Sequence, residues 1–285
     1  VRPDPQQFGG AGAIVVARDD GSSPKRIASG SHPVIAPDGR HVAYFTNKAG
    51  GGYKLKLVPT NGGRSRVLLG DSFPPGPRAP LAWSHNGRYI AAAGSGPTAA
   101  VVDARSGKRL RTLEMDFQFD AASFSPDDAD VMIDNGAERG DSLLLAHVHR
   151  KGSRAIRTGA GAVWVRDGIF FTNDNPGIRV LRRPGSAPRL VYKGHDTPFL
   201  YTIGASADGQ TVLAAEGSPD QISPVLIASK SHTARSVPAV FSEIDAVSRH
   251  GKRVLGMASG NVVVAAADGK TRVIAVGAIN PSWTG

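Results

Sequence analysis

Three short stretches carry residue types at spacings that could do chemistry. His147 and His149 stand two apart, which on a strand puts both rings on one face and makes half of a metal site. Residues 140–143 read GDSL, the spelling of a hydrolase nucleophile block, and they overlap RGDS (139–142), the spelling of an adhesion motif. Residues 194–196 read GHD, a histidine beside the carboxylate a catalytic dyad would use. None is completed elsewhere. The histidine pair lacks a third ligand and runs into Arg150 and Lys151, as a solvated strand end would. A GDSL nucleophile needs a sharp strand-to-helix turn, whereas LLLAHVH after it spells a strand. RGDS is too short to carry adhesion by itself, and GHD has the makeup of a hydrogen-bonded turn. Neither G-x-S-x-G nor GxxxxGK[ST] occurs. Catalytic residues, metal and cofactor are therefore expected to be none.

The elements that hold these stretches are set by a repeat. Seven related phrases end in a turn: VIAPDG (34–39), AWSHNG (82–87), SFSPDD (123–128), VWVRDG (163–168), GASADG (204–209), AVSRHG (246–251) and PSWTG (281–285). Their spacing, about 40 residues, is a propeller-type period. Within one copy, VIA (34–36) and HVAYF (41–45) flank the Pro37-Asp38-Gly39 turn, and YKLKLV (53–58) alternates with Lys54 and Lys56 on its wet side. TNGG (60–63) turns the chain again into RSRVLL (64–69). Four antiparallel strands per copy make one blade. Trp83, Trp164 and Trp283 fall on innermost strands, where a large flat side chain fills the wedge between blades.

The expected fold is all-β, a seven-bladed β-propeller of four-stranded antiparallel blades. The seventh phrase supplies only an inner strand. GAIVVARDDGSSPKRIAS (12–29) has the shape of the two outer strands, so N- and C-terminal strands would close the last blade. A second strand for that blade is missing, which leaves six blades plus an accessory hairpin as the alternative. Residues 1–10 read as a Pro/Gly linker and 11–285 as a single propeller domain, either a trimmed mature protein or an excised domain.

The phrases PVIAPDGRHVAYF (33–45), PLAWSHNGRYIAAA (80–93) and AASFSPDDADVMI (121–133) resemble the TolB-type WD-like propeller repeat. The resemblance covers nearly the whole chain, although the fourth to sixth copies are degenerate. It implies an extracytoplasmic (periplasmic or secreted) protein, or a module of a larger one, that binds other macromolecules. Fold resemblance of this kind carries shape strongly and function weakly.

Composition sets outer bounds. Cysteine is absent, so disulfides and thiolate metal sites are excluded, and no apolar run reaches the length of a membrane span. The formal net charge is +10. Propeller geometry sends the loops between second and third strands, and those leaving fourth strands, to one end of the blades. That end is expected to carry Asp71, Glu114, Asp116, Asp120, Glu138, Asp141, Asp174, Asp196, Glu216, Asp220 and Glu243 against only Lys48, Arg78 and Arg139. It also holds Phe73, Phe117, Phe119, Phe199 and Phe241, with His195 between blades. The basic residues Arg109, Arg111, Arg150, Lys151, Arg154, Arg157, Arg179, Arg182, Arg183 and Arg189 lie on outer strands.

Three functions follow. An acidic, Phe-bearing face suits a non-catalytic propeller that holds a protein or a polar or glycan ligand. Paired carboxylates near the channel would suit a glycan hydrolase or lyase. A basic rim would suit an anionic polymer, with nucleic acid the least expected form. A monomer is expected.

Overall fold

The repeated phrase is a tight turn between the first two strands of a sheet, and its residue types have separate tasks. The hydroxyls of Ser84, Ser125 and Ser206 donate to Oδ1 of Asn86, Asp127 and Asp208 at 2.9, 2.6 and 2.6 Å. Each serine oxygen also accepts a backbone N–H from the far side of the turn, from Tyr89, Asp130 and Thr211. The last position is left-handed, φ 69° at Gly39 and 67° at Gly87, where glycine adopts the angle without strain. In the third copy this position is Asp128 (φ 58°). Its buried carboxylate caps the second sheet's turn, accepting from the backbone N–H groups of His85 (2.8 Å) and Asn86 (2.9 Å). The loss of glycine is thus offset by cross-sheet hydrogen bonds.

The computed structural model describes residues 12–47, 52–72, 81–93, 98–114, 121–134, 142–157, 159–172, 177–195, 199–218, 221–278 and 281–283. Six antiparallel sheets follow one another along these residues. The first holds β1 (Gly12–Val16), β2 (Lys25–Ile35), β3 (His41–Asn47), β4 (Tyr53–Pro59) and β5 (Arg66–Ser72). The second holds β6 (Leu81–Trp83), β7 (Tyr89–Ala93), β8 (Thr98–Asp103) and β9 (Arg109–Glu114). The third is β10 (Ala121–Phe124), β11 (Asp130–Asp134), β12 (Ser142–His147) and β13 (Ser153–Arg157). The fourth is β14 (Ala160–Val165), β15 (Gly168–Thr172), β16 (Ile178–Leu181) and β17 (Arg189–Tyr192). The fifth is β18 (Phe199–Ala205), β19 (Thr211–Ser218), β20 (Gln221–Ala228) and β21 (Ala234–Ser236). The sixth is β22 (Glu243–Val247), β23 (Arg253–Ala258), β24 (Asn261–Ala266) and β25 (Thr271–Val276). Strands pair in sequence order throughout, the pattern of propeller blades.

The fold is therefore an all-β propeller with six blades, and the expected seventh is corrected to the accessory hairpin. β2 is one continuous strand of 11 residues. Its first half pairs with β1 (Gly12↔Gly30 to Val16↔Lys25), and its second half is the inner strand against β3 (Val34↔Ala43). The hairpin lays Ile14, Val16 and Ile27 over Val42, Tyr44 and Val58 of the first sheet. Residues 281–283 form no strand, and Trp283 packs instead beside Leu255, Met257, Val262 and Val264 of the sixth sheet. The reason lies in the missing second strand: without it, an inner strand had no neighbour to hydrogen-bond and the hairpin had none to extend.

The chain divides into two compact units, Val1–Val131 with Ala146–Ser153, and Met132–Leu145 with Arg154–Gly285. In the first, the faces of the first two sheets share a core of Phe45, Leu55, Ile90 and Val102, and the indole of Trp83 donates to the Val34 carbonyl at 3.1 Å. In the second, the fourth sheet packs on the fifth through Phe170, Val180, Val212 and Val225, and the fifth on the sixth through Leu213, Leu226, Phe241 and Val263. Sheets buried on both faces read as short continuous apolar runs, which explains LLLA (143–146) and VVVAAA (262–267). No helix is long and apolar enough to cross a membrane among the described residues.

Arg111, expected on a basic rim, is spent on structure. Its guanidinium donates to the carbonyls of His147 (2.6 Å), Arg150 and Gly152 (3.1 Å), pinning the β12–β13 hairpin. Arg111→Ala should lower stability by about 2 kcal/mol, the scale of charge-assisted hydrogen bonds lost together. Urea unfolding of Arg111→Ala against the unaltered chain checks this; equal midpoints would refute it.

Candidate functional site

Antiparallel order puts the end of each sheet's second strand and the exit of its fourth strand at the same end. In the second unit this brings together Tyr192, where β17 ends, His195 just beyond it, and Glu216 near the end of β19. Gly194 lets the chain bend between them. Its φ is 80°, and a Cβ there would lie 3.1 Å from Leu200 Cδ2.

Glu216 is the centre of the group and is 6% exposed. Its Oε2 accepts the Tyr192 hydroxyl at 2.5 Å. Its Oε1 accepts the His195 backbone N–H at 2.5 Å and Nδ1–H at 2.9 Å. The His195 side chain is 74% exposed, so the ring is aimed by Glu216 and offers its Nε2 edge outward. Burial first, and then the carboxylate of Glu216 as acceptor, push the Tyr192 phenol up to about 12. The phenol thus stays protonated and donates.

Phe199, at the start of β18, is 41% exposed beside this cluster's loop, and Glu243, at the start of β22, is exposed. Phe241 is corrected as a ligand platform. It is 1% exposed and sits among Leu213, Ile222, Ile244 and Val263, because its backbone bridges to Ile222 and turns the ring inward. Asp71 lies on β5. Phe73, Asp116, Phe117, Phe119, Asp120, Glu138, Asp174, Asp196 and Asp220 lie outside the described residues.

The structure adds Asp245, which sequence reasoning missed. Inner strands β14, β18 and β22 each carry a bulge, between Ala160 and Val163, Thr202 and Gly204, and Ile244 and Ala246. The bulge on β22 leaves Asp245 out of the ladder. Its Oδ2 is buried with no hydrogen-bond partner, as is Oγ1 of Thr202 at the neighbouring bulge. Burial, reinforced by the charge of Glu243, pushes the Asp245 carboxyl up to about 8. An acid between Ile244 and Ala246 in the inner-strand phrase EIDAV was the available signal. In the first unit, the bulge of β2 holds His32, whose Nδ1 is likewise without a partner and whose pKa burial lowers.

The earlier chemical candidates resolve into structure. β12 ends at His147, and His149 lies beyond it, the rings 6.4 Å apart. His147 Nδ1 accepts the backbone N–H groups of His149 (3.0 Å) and Arg150 (3.2 Å), and His149 Nε2 pairs with the Tyr89 hydroxyl at 2.8 Å. No group of three or more metal-ligating side chains occurs among the described residues. Ser142 opens strand β12, so it is not at a strand-to-helix turn.

No family model and no curated protein matches the sequence. Solved structures do match in fold. TolB from Acinetobacter baumannii is 15% identical with TM-score 0.56, over 86% of this chain and 67% of that one. The Cps50 (Swd1) β-propeller domain of Myceliophteria thermophila is 15% identical with TM-score 0.65, over 86% and 87%. An oligogalacturonate lyase from Vibrio parahaemolyticus is 8% identical with TM-score 0.64, over 92% and 84%. The fold is that of TolB-type and WD-like β-propellers. At such identities the likeness carries the fold alone.

Proposed function

We propose that the chain is a non-catalytic binding propeller that holds a protein or a polar ligand at the loop end bearing His195, Phe199, Glu216 and Glu243. The state of the Tyr192–Glu216–His195 cluster carries this reading. Every oxygen of Glu216 is occupied by a donor, and the Tyr192 phenol is pushed away from ionisation rather than toward it. A catalytic base needs a lone pair that substrate can reach, which a carboxylate 6% exposed beneath three donors does not offer, and a tyrosine acid or nucleophile needs a lowered pKa. This cluster is built as a brace that presents an imidazole edge at the loop end of the fifth sheet, where Phe199 starts β18 on the opposite sheet face. On sequence grounds the loops of the same kind in this unit add Glu138, Asp174, Asp196 and Asp220, and those of the first unit carry Asp71, Phe73, Asp116, Phe117, Phe119 and Asp120. An acidic face with aromatic platforms fits a cationic partner surface. The TolB resemblance supports an extracytoplasmic setting.

The test uses the immobilised chain as bait against proteins of its native source. Phe199→Ala with Glu243→Lys should cut recovery of the partner about tenfold or more, the scale of losing one aromatic anchor and inverting one charge. Unchanged recovery would refute the face. Phe199 and Glu243 are exposed, so the fold should survive, and an unaltered unfolding midpoint checks that.

One observation supports a second reading, a glycan lyase or hydrolase. Asp245 is held protonated near neutral pH with Glu243 as the charge that helps hold it, the kind of split carboxyl pair that acid–base chemistry uses. Incubation with oligogalacturonate, the substrate class of the fold-similar lyase, would separate the two: depolymerisation lost in Asp245→Asn favours the enzyme, and none favours the binding module.

A further inference from the structure

The opposite end of the second unit has the contrary character. There the turns between first and second strands, and between third and fourth strands, present Arg182, Arg189, Lys230, Arg235, Arg249 and Arg253, all exposed. The acids at this end are engaged within it. Asp167 accepts the Ser229 hydroxyl at 2.7 Å, Asp208 holds the Ser206 hydroxyl and the His250 ring, and Asp268 pairs with Lys270. Burial, then Arg189 and Arg182, keep the His232 pKa below its ordinary value, a sign of the local positive potential.

Within this field is a cleft of about 260 Å³ on the fifth sheet, closed on one side by the sixth sheet's turn at Gly251. Leu226 and Ala228, two apart on β20 and so on one face, line it with apolar surface. Thr211, Thr233 and Arg235 line it with hydroxyls and a guanidinium. Arg235 lies on β21, the outermost strand of its sheet, which pairs with β20 through Leu226↔Arg235. Among the described residues β21 has no strand on its far side, so its outward backbone groups can receive an extended chain.

We propose that this end docks an acidic, extended peptide segment of a partner protein, with a carboxylate seated on Arg235 and an aliphatic side chain in the cleft. The guanidinium fork matches a carboxylate bidentately, and the threonine hydroxyls supply further donors. The aliphatic lining selects among polyanions. A phosphate backbone makes no use of Leu226 and Ala228, and the residues lining the cleft include no aromatic ring on which a base could stack. The site lies away from the Glu216 cluster, so either can fail alone.

Fluorescence anisotropy with a labelled peptide of alternating Asp and Leu tests this, against a Lys–Leu peptide and a short labelled DNA duplex. The Asp–Leu peptide should bind and the Lys–Leu peptide should not. Arg235→Ala should weaken binding about tenfold or more, and Arg235→Lys less, because charge survives but the fork does not. The Arg105→Ala variant, which removes an exposed arginine outside both sites, should bind as the unaltered chain does. Equal binding by Arg235→Ala, or tighter binding of the duplex than of the peptide at the same salt, would overturn the proposal. Arg235 is exposed, so unfolding midpoints should match across the variants.

Discussion

Asp245→Asn is expected to stabilise the protein by about 4 kcal/mol at pH 7 and to flatten its stability against pH. In the unfolded chain this carboxyl has its ordinary value of 3.8, and in the folded chain burial pushes it up to about 8. Below the lower value both states hold the proton, and folding incurs nothing for this group. Between the two values the unfolded chain releases the proton and the folded chain keeps it, so stability falls by about 1.4 kcal/mol per pH unit. Above the upper value the loss levels off. The asparagine variant has no proton to lose and escapes the decline. Asp103 and Asp127 act in the other direction. A Ser106 N–H and the Ser125 hydroxyl, respectively, hold their pKa values low, so they add stability as pH rises and lose it in acid. Both are present in the two proteins, so the difference between their urea midpoints from pH 5 to pH 9 isolates Asp245. Parallel curves would show that its carboxyl is ionised in the fold.

Glu216→Ala is expected to cost about 3 kcal/mol. The carboxylate is the shared acceptor for the Tyr192 hydroxyl, the His195 N–H and the His195 ring, and truncation removes these three charge-assisted hydrogen bonds together. Glu216→Gln should recover part of this, because its carbonyl accepts one donor while its amide faces another. Thermal unfolding orders the three proteins: unaltered, then Gln, then Ala. Because the same cluster aims His195, the Ala variant should also lose partner recovery in the bait experiment. A variant that unfolds normally and keeps its partner would mean that the cluster neither braces nor presents the face.

The blade plan was legible because every local cause lies within a few residues. The serine, the Asx side chain and the left-handed position close one turn, and alternation of small apolar residues sets the strands on either side. The blade count was less legible. PSWTG matches the spelling of an inner strand, but strand formation needs a neighbour to pair with, and β2 had already committed the hairpin residues to the first sheet. Phe241 fails as a platform for a similar reason. Its position after a fourth strand marks a loop, while its bridge to Ile222 and the apolar faces of two sheets bury the ring.

Sequence alone determined the all-β class, the period, the turn chemistry and the end of the sheets at which Glu216 and His195 lie, since these follow from short-range sterics and antiparallel order. Tertiary structure alone decided what those residues do. Tyr192 comes from one sheet and Glu216 from the next, so their hydrogen bond has no local spelling. Asp245 owes its proton to a bulge and to the packing around it. Arg235 meets Thr211 and the Gly251 turn across two sheets. Burial and charge depend on what surrounds a side chain in space, and chain order fixes only part of that company.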